Sequence, residues 1–267
     1  MLRLLTSTIR HAIATLFLAP LLVIPASAVC QLVADAPLDR LPVVKAALAP
    51  DEVRITYLGH STFEIETPKG IRIATDYSGA YKPVMIPHVV TMNGAHGTHF
   101  TFNPDSEIEH VLLGWNPEGG PMDHDKTIED VRIRNIQTNT RGWDGETNLL
   151  GNSIFVFEVA DLCIAHLGHL HQRLTENDLT RLGQIDIVFV PVDGSATLSH
   201  QSMIEVLKSI GPRMVIPMHV FRYGSLQSFA GRMAESGYIV NMSDNPTYIA
   251  SRAGLPAAPT FLVLPGN

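Results

Sequence analysis

The sequence predicts an α/β (α+β) fold in which two sheets form a sandwich with helices on the outside. Two observations support this prediction. The first half of the chain consists mainly of short alternating or apolar runs that are typical of strands, and the last third alternates such runs with helical patterns. Strands followed by strand–helix alternation favour packed sheets that helices cover from outside.

The predicted strands of the first half are short and closely spaced. The first three are separated by brief turns, which favours an antiparallel meander. Residues 116–126 and 138–151 are rich in polar residues and glycine and are expected to form loops, and Arg141, Trp143 and Asp144 could line a pocket there or simply be solvated. The strand candidates are Val53–Gly59, Thr62–Glu66, Ile71–Ala74, a run ending at Met92, Val111–Trp115, Val131–Ile136, Ile154–Glu158 and Leu162–Ala165.

Helices and strands alternate after residue 174. Thr175 and Asp178 are spaced like the two polar residues of a helix N-terminal capping box. A second helix is expected to end at Gly211, which precedes a proline. The strand candidates are Ile185–Pro191, Met214–Met218 and Tyr238–Val240, and the helix candidates begin at Thr175 and span Ser199–Ile210 and Leu226–Ser236.

The N-terminus predicts export. Residues 1–28 combine a basic start, an apolar run and the small residues Ala26-Ser27-Ala28, which is the pattern of a secretory signal peptide. A membrane anchor is the alternative, but Pro20 and Pro25 interrupt the run, which is shorter than the roughly 20 residues of a membrane span. Lipidation of Cys30 is disfavoured because Val29 occupies a position where a small residue is expected.

These features divide the chain into a signal peptide (1–28), an N-terminal leader (29–52) and one domain (53–267). The domain is expected in the periplasm or outside the cell, without stable membrane insertion after cleavage. The chain has 267 residues, 45% of them hydrophobic, and a net charge of -7. This acidic balance argues against nucleic acid as a partner and favours a small-molecule substrate.

Histidines follow three apolar runs that are predicted to be strands. Zinc and similar metals need three to five donors such as imidazole nitrogens, and α/β sheets place ligands at strand ends. The pattern therefore favours a metal site over histidines with structural or surface roles. The predicted metal ligands are His96, His99, His166, His169 and His219.

Other histidines are less informative. His60 lies in the first predicted turn and Asp76 ends the third predicted strand, and each is explained equally well by a site or by turn structure. His88, His110 and His124 are assigned to surface or turn positions.

From about Val53 to His219 the chain resembles the metallo-β-lactamase-fold superfamily, within it the branch of ascorbate-6-phosphate lactonase-like zinc-dependent hydrolases. The resemblance implies an αββα sandwich. Its motifs, in chain order, are Leu58-Gly59-His60-Ser61-Thr62-Phe63, Ile73-Ala74-Thr75-Asp76, the loop Gly94 to His99 in place of H-x-H-x-D-H, Ala165-His166-Leu167-Gly168-His169 in place of A-H-L-G-D, Val190-Pro191-Val192-Asp193-Gly194 and Ile216-Pro217-Met218-His219.

The chain departs from the superfamily pattern at three ligand positions. Gly94 replaces the first loop histidine, Thr98 replaces the loop aspartate and His169 replaces the aspartate that bridges two metals. The resemblance therefore implies one zinc ion rather than two, bound mainly by imidazoles, although another transition metal is an alternative. The proton-transfer candidates are His169 and Asp193, with His171 and Asp76 as alternatives.

Two functions follow from the resemblance. The first is an exported metal-dependent hydrolase in which a metal-bound hydroxide attacks a small ester, lactone or phosphodiester. The second is a metal-binding member of the same fold that has lost hydrolysis and binds a ligand or acts as an accessory protein. A β-lactamase is a weaker third possibility, because the motifs around His60 and His219 resemble the lactonase-like branch instead.

Overall fold

The computed structural model describes residues 47–142 and 144–266. The predicted signal peptide and most of the predicted leader lie outside these residues. The strands are β1 (Glu52–Gly59), β2 (Thr62–Glu66), β3 (Arg72–Ala74), β4 (Val89–Met92), β5 (His110–Leu113), β6 (Asp125–Ile128), β7 (Val131–Arg141), β8 (Thr147–Val159), β9 (Leu162–His166), β10 (Ile187–Pro191), β11 (Met214–Met218), β12 (Ile239–Met242), β13 (Thr247–Ser251) and β14 (Thr260–Val263). The helices are α1 (Glu176–Leu182), α2 (His200–Ile210) and α3 (Tyr223–Glu235).

The strands form two sheets. One has six strands in the order β13-β1-β2-β3-β4-β5, and the other has eight in the order β12-β14-β11-β10-β9-β8-β7-β6. The β1–β2–β3 pairs are antiparallel, which confirms the predicted meander. Strands β9, β10 and β11 are parallel neighbours, so their carboxyl ends lie at one edge of the sheet.

Apolar side chains fill the space between the sheets. Phe63 of β2 stacks on Phe189 of β10 with ring centroids 4.0 Å apart, and both side chains are fully buried. A second apolar layer joins the eight-stranded sheet to the helices and includes Met203, Leu207 and Phe229. The predicted two-sheet sandwich with outer helices is therefore confirmed, with α1, α2 and α3 all on the eight-stranded sheet.

The predicted loop at residues 138–151 is wrong. Strands β7 and β8 continue through most of it as a hairpin, paired from Val131 opposite Val159 to Arg141 opposite Thr147. The far end of β8 is solvent-exposed from Thr147 to Leu149, so no apolar alternation marks it in the sequence. The predicted loop at 116–126 is also shortened by β6, which is almost wholly exposed.

The helices follow the predicted signals. Thr175 caps α1, its hydroxyl accepting from the Asp178 backbone while the Asp178 side chain accepts from the Thr175 backbone. Gly211 ends α2 in the left-handed conformation. Across the described ranges, no helix is both long and apolar enough to cross a membrane.

Candidate metal centre

Four histidine side chains converge where strands of both sheets end. His60 lies in the β1–β2 turn, His96 and His99 lie in the loop after β4, and His219 directly follows β11. Each offers one ring nitrogen, and these four atoms lie within 4.8 Å of one another. His99 and His219 are completely buried. The cluster therefore has the donor type and the size of a site for one transition metal.

The backbone at two of these histidines is strained. His60 and His219 have φ angles of 50° and 57°, in the left-handed region that residues other than glycine rarely adopt. The His219 N–H donates to the His60 carbonyl across 2.6 Å, which ties the two positions together. Strain of this kind costs about 1–3 kcal/mol per residue and concentrates at functional sites.

A buried carboxylate orients His99. Oδ2 of Asp76 accepts from His99 Nδ1 at 2.6 Å, and its Oδ1 accepts from the Asn93 side chain at 2.8 Å. Burial raises the pKa of Asp76, but the imidazoles of His166 and His99 outweigh it and lower that pKa to about 2. Asp76 is therefore ionised, and Nε2 of His99 points away from it with no hydrogen-bond partner among the described residues.

A second carboxylate orients His219. Asp193 accepts from His219 Nδ1 at 3.0 Å, and its oxygens also accept from the backbone N–H groups of Ser195, Ala196 and Thr197. Burial raises the pKa of Asp193, whereas the hydrogen bonds from His219 and Thr197 lower it below the ordinary value. Since these bonds occupy the carboxylate, Asp193 is placed behind a candidate ligand rather than facing a substrate.

Thr98 orients the two remaining imidazoles. Its hydroxyl oxygen lies 2.9 Å from His60 Nε2 and 2.8 Å from His96 Nδ1. A hydroxyl has one hydrogen and two lone pairs, so it can donate to one ring and accept from the other. Thr98, which replaces the aspartate of the superfamily motif, therefore fixes the orientation of two histidines.

We expect Thr98→Val to weaken metal binding about tenfold, the lower end of the range for losing a group that orients a metal ligand. Valine has nearly the shape of threonine but cannot bond either imidazole. Thr98→Ser restores the hydroxyl and is expected to bind the metal within about twofold of the wild type. Competition with a chromophoric chelator measures both affinities, and equal weakening in the two variants would contradict this role.

The hydrogen bonds to Thr98, Asp76 and Asp193 determine which ring nitrogen of each histidine can bind a metal. Nδ1 of His96, His99 and His219 is held by Thr98, Asp76 and Asp193 in turn, so Nε2 is the candidate donor of each ring. The Nε2 atoms of His96 and His219 lie 3.4 Å apart. A buried His99 Nε2 that lacks a partner is the observation that a bound cation best explains, so these residues fit a metal.

Burial keeps the imidazoles in the metal-binding state. Burial, followed by the neighbouring imidazoles, lowers the pKa of His60 to about 3 and that of His96 to about 4. The pKa of His219 is also lowered, chiefly by burial. Neutral imidazole is the form that binds metals.

His169 lies next to the four histidines but outside their converging set. Its ring centroid is 5.1 Å from that of His219 and 5.2 Å from those of His96 and His99. It is 2% exposed, and neither of its ring nitrogens has a hydrogen-bond partner among the described residues. Burial, followed by the neighbouring imidazoles, lowers its pKa to about 3. His169 is therefore a neutral group that can accept a proton beside the centre.

The structure does not bring His166 into the cluster. Its Nε2 lies 2.9 Å from the Ser61 carbonyl, and its Nδ1 accepts from the Gly168 backbone at 3.1 Å. Both ring nitrogens are thus engaged by backbone groups, which leaves neither for a metal. The structure supplies His60 instead, whose role the sequence left undecided because its neighbours in space come from other strands.

The structure explains why Gly94 stands where the superfamily motif has its first loop histidine. A Cβ atom at Gly94 would lie 2.8 Å from Cγ of the Trp115 side chain. The indole therefore occupies the space into which a side chain at position 94 would project. Because only glycine fits here, the chain has no room for the first histidine of the superfamily motif.

A cavity of about 460 Å³ opens beside the centre. His96 and His169 line it on the side of the histidines, and Arg141, Asp144, Ser195 and Ala196 line it elsewhere. The sequence-based suggestion that Arg141 and Asp144 could line a pocket is confirmed, whereas Trp143 is outside the described residues. Phe221, which is 55% exposed, contacts the cluster with its ring 4.5 Å from that of His219.

Comparison with known proteins agrees with this fold. A metal-dependent hydrolase of Salinibacter ruber is 24% identical over 221 residues, which cover 69% of this chain and 93% of that protein. A protein of the metallo-beta-lactamase superfamily from Thermotoga maritima has a solved structure that matches with a TM-score of 0.58 and 23% identity, covering 80% of this chain and all of that one. A metallo hydrolase of Ignicoccus hospitalis matches with a TM-score of 0.55 and 16% identity, covering 81% and 97%.

The family assignment rests on the sequence itself. The sequence model of the beta-lactamase superfamily domain matches residues 54–219, which begin within β1 and end at His219 of the metal centre. This match spans more than half of the chain and includes every histidine of the cluster. The chain therefore belongs to the beta-lactamase superfamily.

Proposed function

We propose that the protein is a metal-dependent hydrolase that holds one zinc ion and acts on a small ester, lactone or phosphodiester. The observation that carries the proposal is the arrangement of His99 and His219, each backed by a buried carboxylate and each directed at a common point. Carboxylate–histidine pairs of this kind are typical of metal sites. The metal-dependent hydrolase of Salinibacter ruber supports the same reaction class.

Each residue has a role in this proposal. His96, His99 and His219 would hold the ion, with His60 as the fourth imidazole of the cluster. When bound, such an ion supplies Lewis-acid polarisation and a water of lowered pKa. His169, neutral and without a partner among the described residues, accepts a proton beside the reacting group. Asp76 and Asp193 orient their histidines and balance the charge of a divalent cation.

A single ion is favoured over two. In the superfamily pattern, two metal sites together need ligands at the positions of Gly94, Thr98 and His169, the last of which bridges the two metals. The indole of Trp115 closes the first of these positions, and the hydroxyl of Thr98 is used by His60 and His96. We also propose, from the pattern of residues 1–28, that the enzyme is exported to the periplasm or medium.

We expect the purified protein to contain close to one equivalent of zinc per chain and to hydrolyse part of a panel of aryl esters, lactones and aryl phosphodiesters. Removing the metal with a chelator should abolish turnover, and adding zinc back should restore it. Elemental analysis and initial rates on the same samples measure both. Turnover that survives complete metal removal would contradict the proposal.

The alternative is a metal-binding protein without hydrolytic activity. The observation behind it is the threonine at position 98, which leaves the metal centre without the loop carboxylate of the superfamily motif. Uptake of one equivalent of zinc without turnover on any member of the panel would favour this alternative.

A further inference from the structure

We propose that Arg141 forms an anion-binding subsite, so that the substrate carries a carboxylate or phosphate group beside the bond that is cleaved. This inference rests on the proposed hydrolase function and narrows its substrate class. The proposal starts from the position of Arg141, which ends β7 and lines the same cavity as His96 and His169.

One edge of the guanidinium is hydrogen-bonded to the backbone, and the other lies beside a glycine. Nη1 of Arg141 donates to the Ser195 carbonyl at 2.8 Å, which fixes the group at the cavity wall. Nη2 and Nε face Gly145, where a Cβ atom would lie 3.5 Å from Nη2 and 4.0 Å from Nε. Because residue 145 is a glycine, it places no side chain against this edge. Nε and Nη2 together are a pair of donors that binds two oxygens of a planar carboxylate or of a phosphate.

The nearby carboxylate of Asp144 forms no ion pair with Arg141. Asp144 lines the same cavity, but its Oδ1 accepts from the Glu146 backbone at 3.0 Å. No ion pair within 4.0 Å joins Arg141 to any acidic side chain of the described ranges. In a chain of net charge -7, a cation without an acidic partner beside a metal centre favours a negatively charged ligand.

The cavity sets the size of that ligand. A volume of about 460 Å³ lies within the range of small-molecule sites and admits a compact substrate that spans from the histidines to Arg141. Asp76 and Asp193 offset the charge of a divalent cation, so the metal centre itself adds little net attraction for an anion. Arg141 therefore supplies the charge that distinguishes an anionic substrate from a neutral one.

The test compares two esters with the same aryl leaving group, one of acetic acid and one of glutaric acid, which adds a carboxylate. Arg141→Gln removes the charge, and Arg213→Gln is the matched control because Arg213 is also exposed and donates to a backbone carbonyl, that of Pro256. We expect Arg141→Gln to lower kcat/KM for the glutarate ester about tenfold more than for the acetate ester, through KM, with metal content maintained. Arg213→Gln should leave both values unchanged. Equal loss for the two esters would overturn the proposal.

A binding measurement separates this inference from the proposed function. Titration calorimetry with glutarate on the same metal-loaded samples does not require turnover. If neither ester is hydrolysed, the hydrolase proposal fails for these substrates, yet a dissociation constant about tenfold weaker in Arg141→Gln than in the wild type and Arg213→Gln still supports the subsite. Equal glutarate affinity in the three proteins, or no binding to any of them, overturns it.

Discussion

Replacing His99 with alanine is expected to remove the metal and to reduce hydrolysis by more than about a hundredfold, beyond the 10–100-fold typical of losing a group that only orients a ligand. His99 is fully buried, Asp76 holds its Nδ1, and its Nε2 has no partner in the described part of the chain. The substitution also removes the hydrogen bond that Oδ2 of the buried Asp76 accepts. Elemental analysis of His99→Ala beside the wild type, with initial rates, checks the prediction.

His166→Ala is the matched control, because His166 is equally buried and carries the same side chain. Both of its ring nitrogens bond backbone groups, so this variant should retain the metal. It should lose about 1–3 kcal/mol in free energy of unfolding, since the Gly168 N–H becomes unsatisfied and the Ser61 carbonyl keeps only its hydrogen bond from the Thr75 hydroxyl. Metal loss in His166→Ala, with full metal in His99→Ala, would reverse the assignment made from the structure.

Local patterns predict most of this fold. Alternation in Val53–Gly59, the largely apolar run Ile185–Pro191 and the capping pair Thr175 and Asp178 each depend on neighbours in sequence, and each element was found. The outer half of the β7–β8 hairpin escaped prediction because it lacks apolar alternation: Thr147 to Leu149 of β8 face solvent, and the buried Thr138 and Thr140 of β7 are polar.

The site was only partly predictable for a related reason. The residues at strand ends identified His96, His99 and His219, because a strand end is visible in sequence. Whether His60 or His166 belongs to the metal centre depends on the hydrogen bonds that each ring makes. The Ser61 carbonyl that occupies His166 Nε2 lies 105 positions away in sequence, so no local pattern reveals this contact. Likewise, nothing near Gly94 in sequence reveals that the Trp115 indole occupies the adjacent space.

The two carboxylates change how the electrostatics of the centre should be understood. The sequence suggested a metal bound mainly by imidazoles. Because imidazoles are neutral, such ligands alone would leave a divalent cation with its full charge. Asp76 and Asp193 instead place two negative charges one imidazole away. This arrangement fixes the ring orientation of His99 and His219 as ligands, and under the proposed function it leaves the discrimination between substrates to the cavity wall.

Replacing His169 with alanine is expected to leave the metal bound while lowering kcat about 10²- to 10⁴-fold, the usual contribution of a positioned acid or base. His169 lines the cavity, lies outside the four converging donors and has two buried nitrogens without partners among the described residues. Its lowered pKa keeps the ring neutral, so that one ring nitrogen carries an unprotonated lone pair. The two possible roles of His169 predict different results. Loss of a metal ligand lowers the metal content, whereas loss of a proton acceptor does not. Metal analysis and kcat on one preparation of His169→Ala therefore decide the role, and a variant that loses the ion would make His169 a ligand, as the sequence also suggested.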